Sequence, residues 1–296
     1  MAPRKHFRLE LRSRTLLLGG RTLVMGVLNV TPDSFSDGGK FFDPRLAVAR
    51  ALELQRDGAD ILDIGAESTR PGSEGISAAE ELRRLLPVIE ALRGKLKIPI
   101  SVDTQKSTVA EIALGAGAEI INDVSGLKHD PRVAQVVARR GAALILMHMR
   151  GTPRDMQKRP FAKNVLKDVV RGLRASIAAA RKAGVAKNQI VMDPGIGFGK
   201  SFAQNYELLQ KLPELAKLGF PLLVGTSRKG FLGATLAKAA LGRKAKPIPP
   251  EDRLWATAAT VAASILSGAH IVRVHDVKEM AQVARVTDRI LNPLAD

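Results

Sequence analysis

The sequence contains no cysteine among its 296 residues. That excludes a disulfide framework and any thiolate-bound metal centre. Aromatic residues are scarce at 4%, with one tryptophan and one tyrosine, so there are few side chains on which bases could stack. No apolar run approaches the roughly 20 residues that span a bilayer. The basic start leads only to the three-leucine run Leu16 to Leu18, too short for the core of a signal peptide. No proline- or serine-rich stretch divides the chain. These shortages predict a cytoplasmic protein with no membrane partner, built as one domain over residues 1–296.

Acidic residues are also outnumbered, 29 against 46 basic ones, giving a formal net charge of +17. The lysines and arginines are scattered and form no stripe interleaved with aromatics. They read as a solvated basic surface whose field helps collect anionic substrates, and no nucleic-acid partner is expected.

What is present is an alternation. Short apolar, β-branched runs recur at 23–29, 60–65, 99–103, 119–122, 143–147, 189–193, 221–225 and 270–275. Near-continuous apolar runs are what a parallel sheet covered on both faces requires. Amphipathic segments such as Ala78 to Leu92, Val165 to Ala183 and Trp255 to Leu266 lie between them. Glycines at 58, 117, 141 and 268 precede strands, where a helix C-terminus needs a residue tolerant of positive φ. Eight β-α units in about 250 residues predict an α/β fold, a closed (β/α)8 TIM barrel. An extra β-hairpin, at about 7–22, is expected to plug the N-terminal end of the barrel. Residues 242–250 read as an exposed loop.

In such a barrel the chemistry collects at the C-terminal ends of the strands. Polar residues fall there: Asn29, Asp63, Asp103, Asn122, Asp193, Arg273 and His275. The period of two puts Arg273 and His275 on one face, opposite Val272 and Val274, and likewise Ser101 and Asp103 opposite Ile100 and Val102. Three loops follow these ends. Residues 29–39 are rich in glycine, hydroxyl and carboxylate groups, oxygen ligands suited to a hard cation. Residues 67–72 carry one arginine and one proline. Residues 225–230 set Arg228 and Lys229 before a helical run, an anion site by its position after the seventh strand. The run Gly195-Ile-Gly-Phe-Gly-Lys-Ser201 looks like a P-loop, but Pro194 stands where the first glycine belongs, so it reads as a tight strand-to-helix turn. His129 and His148 read as structural.

Taken in order, these phrases resemble one family, the dihydropteroate synthases of folate biosynthesis. They are Met25 to Gly39 (MGVLNVTPDSFSDGG), Glu67 to Gly72 (ESTRPG), Ser101 to Thr104 (SVDT), Ile121 to Asp123 (IND), Asp193 to Lys200 (DPGIGFGK), Ser227 to Lys229 (SRK) and Arg273 to Asp276 (RVHD). The resemblance covers about 24–286. It implies that 4-aminobenzoate and 6-hydroxymethyl-7,8-dihydropterin diphosphate give 7,8-dihydropteroate and pyrophosphate, with Mg2+ as cofactor and a homodimer as the assembly. It implies that Asp103, Asn122, Asp193 and Lys229 hold the pterin, that Thr69, Arg70, Arg273 and His275 serve the diphosphate, and that Asn29 serves the metal. Phe35, Pro71 and Gly230 resemble positions around the aminobenzoate pocket, where sulfonamides would mimic the substrate. No side-chain nucleophile is implied, because the arylamine itself attacks. Many members carry serine or arginine after Ser-Arg-Lys, where this chain has Gly230. The alternative enzyme is a methyltetrahydrofolate-binding methyltransferase on a related barrel, which would have no use for a diphosphate site.

Overall fold

A computed structural model describes residues 4–31, 43–68, 72–156, 158, 160, 162–242 and 245–293. The chain opens with an antiparallel hairpin, β1 (Phe7–Glu10) and β2 (Thr15–Leu18). Eight parallel strands follow: β3 (Leu23–Asn29), β4 (Ile61–Gly65), β5 (Ile100–Asp103), β6 (Ile120–Asp123), β7 (Ala143–Met147), β8 (Ile190–Asp193), β9 (Leu223–Val224) and β10 (Ile271–Val274). They pair in the order β8-β7-β6-β5-β4-β3-β10-β9. A bridge between Met192 and Leu222 joins the two ends, with Met192 N–H donating to the Pro221 carbonyl at 2.9 Å. The sheet is therefore a closed barrel, as the alternation predicts.

The helices that cover it are α1 (Pro44–Arg56), α2 (Ala78–Leu92), α3 (Ser107–Ala116), α4 (Arg132–Arg140), α5 (Val165–Lys182), α6 (Phe202–Gln210), α7 (Leu212–Ala216), α8 (Gly230–Leu241), α9 (Leu254–Leu266) and α10 (Val277–Leu291). Side chains of Asp43, Ser77, Asn164 and Ser201 cap α1, α2, α5 and α6 by accepting from first-turn amides, which satisfies donors that would otherwise be orphaned. Gly141 ends α4 in the left-handed region at φ 63°, where a β-carbon is costly.

One strand differs from its expectation. The run 221–225 supplies only two strand residues, Leu223 and Val224. Pro221 has no N–H to contribute to a ladder, and the Leu222 carbonyl is shared between the amides of His270 and Ile271 at 2.8 and 3.2 Å. The chain thus leaves the sheet early and begins its site loop near Gly225.

The period of two sorts the strand residues into two shells. Val24, Leu62, Ile64, Val102, Ile121, Leu144, Met192, Val272 and Val274 face outward into one core shared with the helices. Leu23, Met25, Ile61, Ile120, Ile145, Val191, Leu223 and Ile271 face inward and form a second core with Leu9, Leu11 and Leu18 of the hairpin region. The hairpin is the floor of the barrel. It is tied down by Arg4, which donates to Thr22 Oγ1 at 2.5 Å, to the Ala269 carbonyl at 3.0 Å and to Asp288 of α10 at 2.5 Å. With the floor sealed, everything polar inside the barrel lies toward the opposite end.

Leu9 is 1% exposed within that floor. Leu9→Ala is expected to cost about 2–5 kcal/mol of unfolding free energy, the range for truncating a buried leucine. Urea denaturation followed by circular dichroism measures it. A loss under about 1 kcal/mol would show that the hairpin contributes no core.

Candidate active site

The inward positions change from apolar to polar on climbing each strand. Ile61 is followed inward by Asp63, Ile120 by Asn122, Val191 by Asp193, and Ile271 by Arg273; on β5 the inward residues are Ser101 and Asp103. Register then sets them side by side. Asn29 pairs with Gly65, Gly65 with Asp103, and Asp103 with Asn122. Five strand-end residues expected to carry the chemistry, Asp103, Asn122, Asp193, Arg273 and Asn29, are thus brought to one end of the barrel interior. Thr69, Arg70, Pro71 and Phe35 lie outside the described residues, as does most of the first loop.

At the centre stands Arg273. Its Nε donates to Asp63 Oδ2 at 2.7 Å, and its Nη2 reaches Asp63 Oδ2 at 2.7 Å and Asp103 Oδ2 at 3.0 Å. Asp63 is wholly buried and also accepts from Asn122 Nδ2 at 3.2 Å. Arg273 Nη1 makes no hydrogen bond among the described residues, where Nε and Nη2 carry the contacts to Asp63 and Asp103. The Asp103 carboxyl is pushed up from the ordinary carboxylate range by burial, an effect Arg273 opposes and Asp63 reinforces. Asp193 is raised by the same loss of water, partly offset by the Gly195 amide that donates to its Oδ1 at 2.7 Å and by Lys229.

Lys229 comes from the loop after β9 and lies with its ammonium 3.9 Å from the centre of the Phe198 ring, a cation–π arrangement. Burial and the neighbouring Arg273 lower its pKa to about 8, against the pull of Asp193 and Asp103. Its stem rests on Gly197, where a β-carbon would come within 2.9 Å of Lys229 Cδ. The run 195–199 is a tight turn, as its residues suggest, and Lys200 explains how it is held. The fully buried Lys200 ammonium donates to the His148 and Gly195 carbonyls at 2.7 and 2.8 Å. Burial lowers its pKa to about 7.

His275 pairs Nδ1 with Ser227 Oγ at 3.0 Å, and its backbone amide donates to the same oxygen at 3.2 Å. Burial and the charge of Arg273 push its pKa down to about 3, so it is a neutral imidazole. Beside it, α8 begins at Gly230 with no side-chain cap, leaving first-turn amides for an acceptor. Arg228 corrects the sequence expectation. It turns away from the anion position to pair with Asp276, through Nε at 3.1 Å and through Nη2, and its carbonyl accepts from Arg253 at 2.7 Å. It holds the loop in shape at φ 59°.

Several contributors were not singled out from sequence. Val124, Met147, Met149, Met156 and Phe198 form a separate buried apolar cluster at the strand ends. Period alone does not separate such residues from ordinary core. Lys106 ties the root of the second loop, with Nζ 3.0 Å from Glu67 and 2.5 Å from the buried Glu81. His148 is buried, and loss of water lowers its pKa to about 2.

A hard cation is the remaining candidate. Among the described residues no cluster of three acidic or histidine side chains could hold a metal. Gly65, however, leaves a cradle at the strand ends: a β-carbon there would lie 3.8 Å from both Asn29 Oδ1 and Asp103 Oδ2. Asp103 Oδ2 is engaged by Arg273, so Asn29 Oδ1 is the oxygen there suited to Mg2+, which takes one or two protein ligands and completes its shell with phosphate and water.

Comparison with known proteins places this geometry. Residues 25–275 match the family described as pterin binding enzyme. The dihydropteroate synthase of Synechocystis sp. is 48% identical over 92% of this chain and 91% of its own, and that of Bacillus subtilis 47% identical over 92% and 90%. Among solved structures, the Xanthomonas albilineans dihydropteroate synthase with 4-aminobenzoic acid superposes with a TM-score of 0.88, at 42% identity, over 97% of this chain and 99% of that one. The Yersinia pestis dihydropteroate synthase in complex with a sulfonamide drug gives 0.87, at 41% identity, over 96% and 99%.

The lowered basicity of Lys229 yields a direct test. Its folded pKa lies below the ordinary lysine value, so the ammonium is present below about pH 8 and lost above it. With ε-13C lysine, the resonance that disappears in Lys229→Arg should titrate near that pH. A midpoint above about 10, that of a solvated lysine, would place the amine in water.

Proposed function

The chain belongs to the pterin-binding enzyme family, in its dihydropteroate synthase branch, and from that premise we propose how its barrel mouth divides the work. The enzyme condenses 4-aminobenzoate with 6-hydroxymethyl-7,8-dihydropterin diphosphate to 7,8-dihydropteroate, releasing pyrophosphate, in folate biosynthesis. The observation that carries the assignment of roles is the placement of hydrogen-bond acceptors and donors. Carboxylates and the Asn122 amide lie inside the barrel, whereas Arg273 Nη1, His275 and the open α8 terminus offer donors without acceptors.

The pterin takes the carboxylate end. Its aminopyrimidine edge presents adjacent N–H donors, which a carboxylate accepts side by side; Asp193 is that acceptor. Asn122 supplies one donor and one acceptor, Lys229 donates to a ring acceptor, and Asp103 takes a further ring N–H. Phe198 and Met147 pack on the ring face. The diphosphate takes the donor end, with Arg273 Nη1 and the His275 ring N–H, and with Thr69 and Arg70 from the second loop. Asn29 holds Mg2+ at the Gly65 cradle. Bound there, Mg2+ would neutralise diphosphate charge. 4-Aminobenzoate lies between the first two loops, by Phe35 and Pro71, with its carboxylate toward the amides at Gly230. A sulfonamide would compete for that place.

No base is needed before bond formation, because the arylamine lone pair is free at neutral pH. The demanding event is departure of pyrophosphate. Preorganised donors act most strongly where negative charge develops, and Arg273 and His275 face that position. Departure therefore precedes attack, and the loops keep water from the electrophilic methylene. The methyltransferase alternative has no diphosphate to release and leaves these donors without a task. We place the enzyme in the cytoplasm as a homodimer. Exposed Phe202 and Tyr206 on α6 and Trp255 on α9, two helices that touch each other, support a subunit contact.

A coupled assay for pyrophosphate, requiring both substrates and Mg2+, tests the reaction. Asp193→Asn should keep the fold and weaken pterin binding by about 1–3 kcal/mol, since an amide leaves one donor unpaired. Calorimetry decides it, and unchanged affinity would place the pterin elsewhere. With Mg2+ and no aminobenzoate, labelled pyrophosphate should exchange into the pterin diphosphate. Chelation of Mg2+ should stop that exchange. No exchange with Mg2+ and without aminobenzoate, in enzyme that turns over when both substrates are present, would mean that departure does not precede attack.

A further inference from the structure

We infer that Asp63 is a positioning residue that fixes the polarity of the Asn122 amide and thereby selects a 2-amino pteridine over a 2-oxo one. The inference rests on the pterin reading above and concerns which way round Asn122 presents its two groups. Asp63 is 0% exposed on β4, one strand beyond β5 from Asn122 on β6, and its Oδ2 receives Asn122 Nδ2 at 3.2 Å and Arg273 Nε at 2.7 Å. A carboxylate only accepts. Were the amide reversed, its oxygen would face that carboxylate oxygen in a buried space, two acceptors in contact, with Asp63 Oδ2 keeping only its donors from Arg273. Asp63 cannot swing aside to relieve such a clash, because the guanidinium of Arg273 grips the same oxygen.

The consequence lies on the other side of Asn122. With Nδ2 committed to Asp63, Asn122 Oδ1 is buried without a hydrogen-bond partner. An orphaned acceptor inside a binding site carries a free-energy cost until a donor arrives. The exocyclic 2-amino group of a pterin is such a donor, and the second proton of Nδ2 meets the adjacent ring nitrogen. A pteridine with oxygen at position 2 would set two acceptors face to face. Asp193 reads the neighbouring edge independently, so Asp63 controls one share of the discrimination.

The experiment is calorimetry with 6-hydroxymethylpterin and 6-hydroxymethyllumazine, its 2-oxo analogue, on purified enzyme and variants whose melting temperatures are recorded. Wild type should prefer the pterin strongly, as sites built around a substrate N–H do. Asp63→Val removes both contacts and frees the amide to turn; the preference should shrink by about tenfold or more. Asp63→Ser, too short to reach Asn122, should act alike and stands in if the valine variant does not fold. Asp63→Asn can offer one oxygen to both donors and should restore the preference. Asn122→Ala should lose the same share, and combining it with Asp63→Ser should lose no more, the non-additivity expected of one unit. Equal weakening of both ligands in Asp63→Val and Asp63→Ser, with their ratio unchanged, would reduce Asp63 to scaffolding and overturn the inference. A wild type indifferent to the two ligands would overturn the pterin reading itself.

Discussion

The grip of Arg273 on Asp63 and Asp103 is the interaction on which the rest of the mouth depends. Two carboxylates on neighbouring strands, both turned inward, could not share a dry barrel without a cation between them. Arg273 answers from β10 with Nε and Nη2 and leaves Nη1 over. A buried pair of this kind is weak evidence for stability, because hydrophobic replacements often fold as well or better. Its presence is better explained by what it prepares: a fixed array of acceptors whose desolvation has already occurred when the substrate arrives. That array needs a rigid support. The hairpin floor supplies it by filling the opposite end with Leu9, Leu11 and Leu18, so the polar layer rests on close-packed side chains.

Most of this was legible in the sequence because a parallel strand writes its two faces into alternate residues. Val272 and Val274 against Arg273 and His275, or Ile100 and Val102 against Ser101 and Asp103, announce an inward polar face, and the structure keeps each assignment. What stayed hidden depends on partners distant in the chain. Asp63 looks like any strand-end acid until Asn122 and Arg273, 59 and 210 residues away, are seen to meet on one of its oxygens. Arg228 looks like an anion ligand beside Lys229 until Asp276 claims it. Asp123, inside the Ile-Asn-Asp phrase, spends its carboxylate on Ser125 and the Leu127 amide, so the same short phrase mixes a pocket residue with a turn residue. Phe35, Thr69, Arg70 and Pro71 are named by resemblance alone and lie outside the described residues.

The turn after β8 shows how backbone and charge cooperate. Gly195, Gly197 and Gly199 all have positive φ, and a β-carbon at Gly195 would fall 2.0 Å from the His148 carbonyl oxygen. That carbonyl is the one Lys200 binds. The close approach lets one ammonium tie the β7 and β8 loops together, and the tied turn then aims the Gly195 amide at Asp193 and sets Phe198 under Lys229. The glycine-rich run that imitates a phosphate loop thus works by placing the Gly195 amide on Asp193 and Phe198 beside Lys229.

The resulting field explains how a doubly natured substrate is oriented. A pterin diphosphate carries hydrogen-bond donors at one end and several negative charges at the other. Asp103 and Asp193 inside the barrel disfavour an anion and can accept from the N–H donors of a ring edge, whereas Asp63 is already met by Arg273 and Asn122. At the rim, His275 is neutral and Arg228 is matched by Asp276, so the local positive charge comes chiefly from Arg273 and Lys229, each already beside a carboxylate. In the proposed reaction a rim of that kind would hold a departing anion without trapping it, since an excess of unpaired cations would bind product as firmly as the transition state and slow its release. The scattered surface excess that makes the chain +17 gathers anions from solution; the balanced charges within the mouth decide which end enters first.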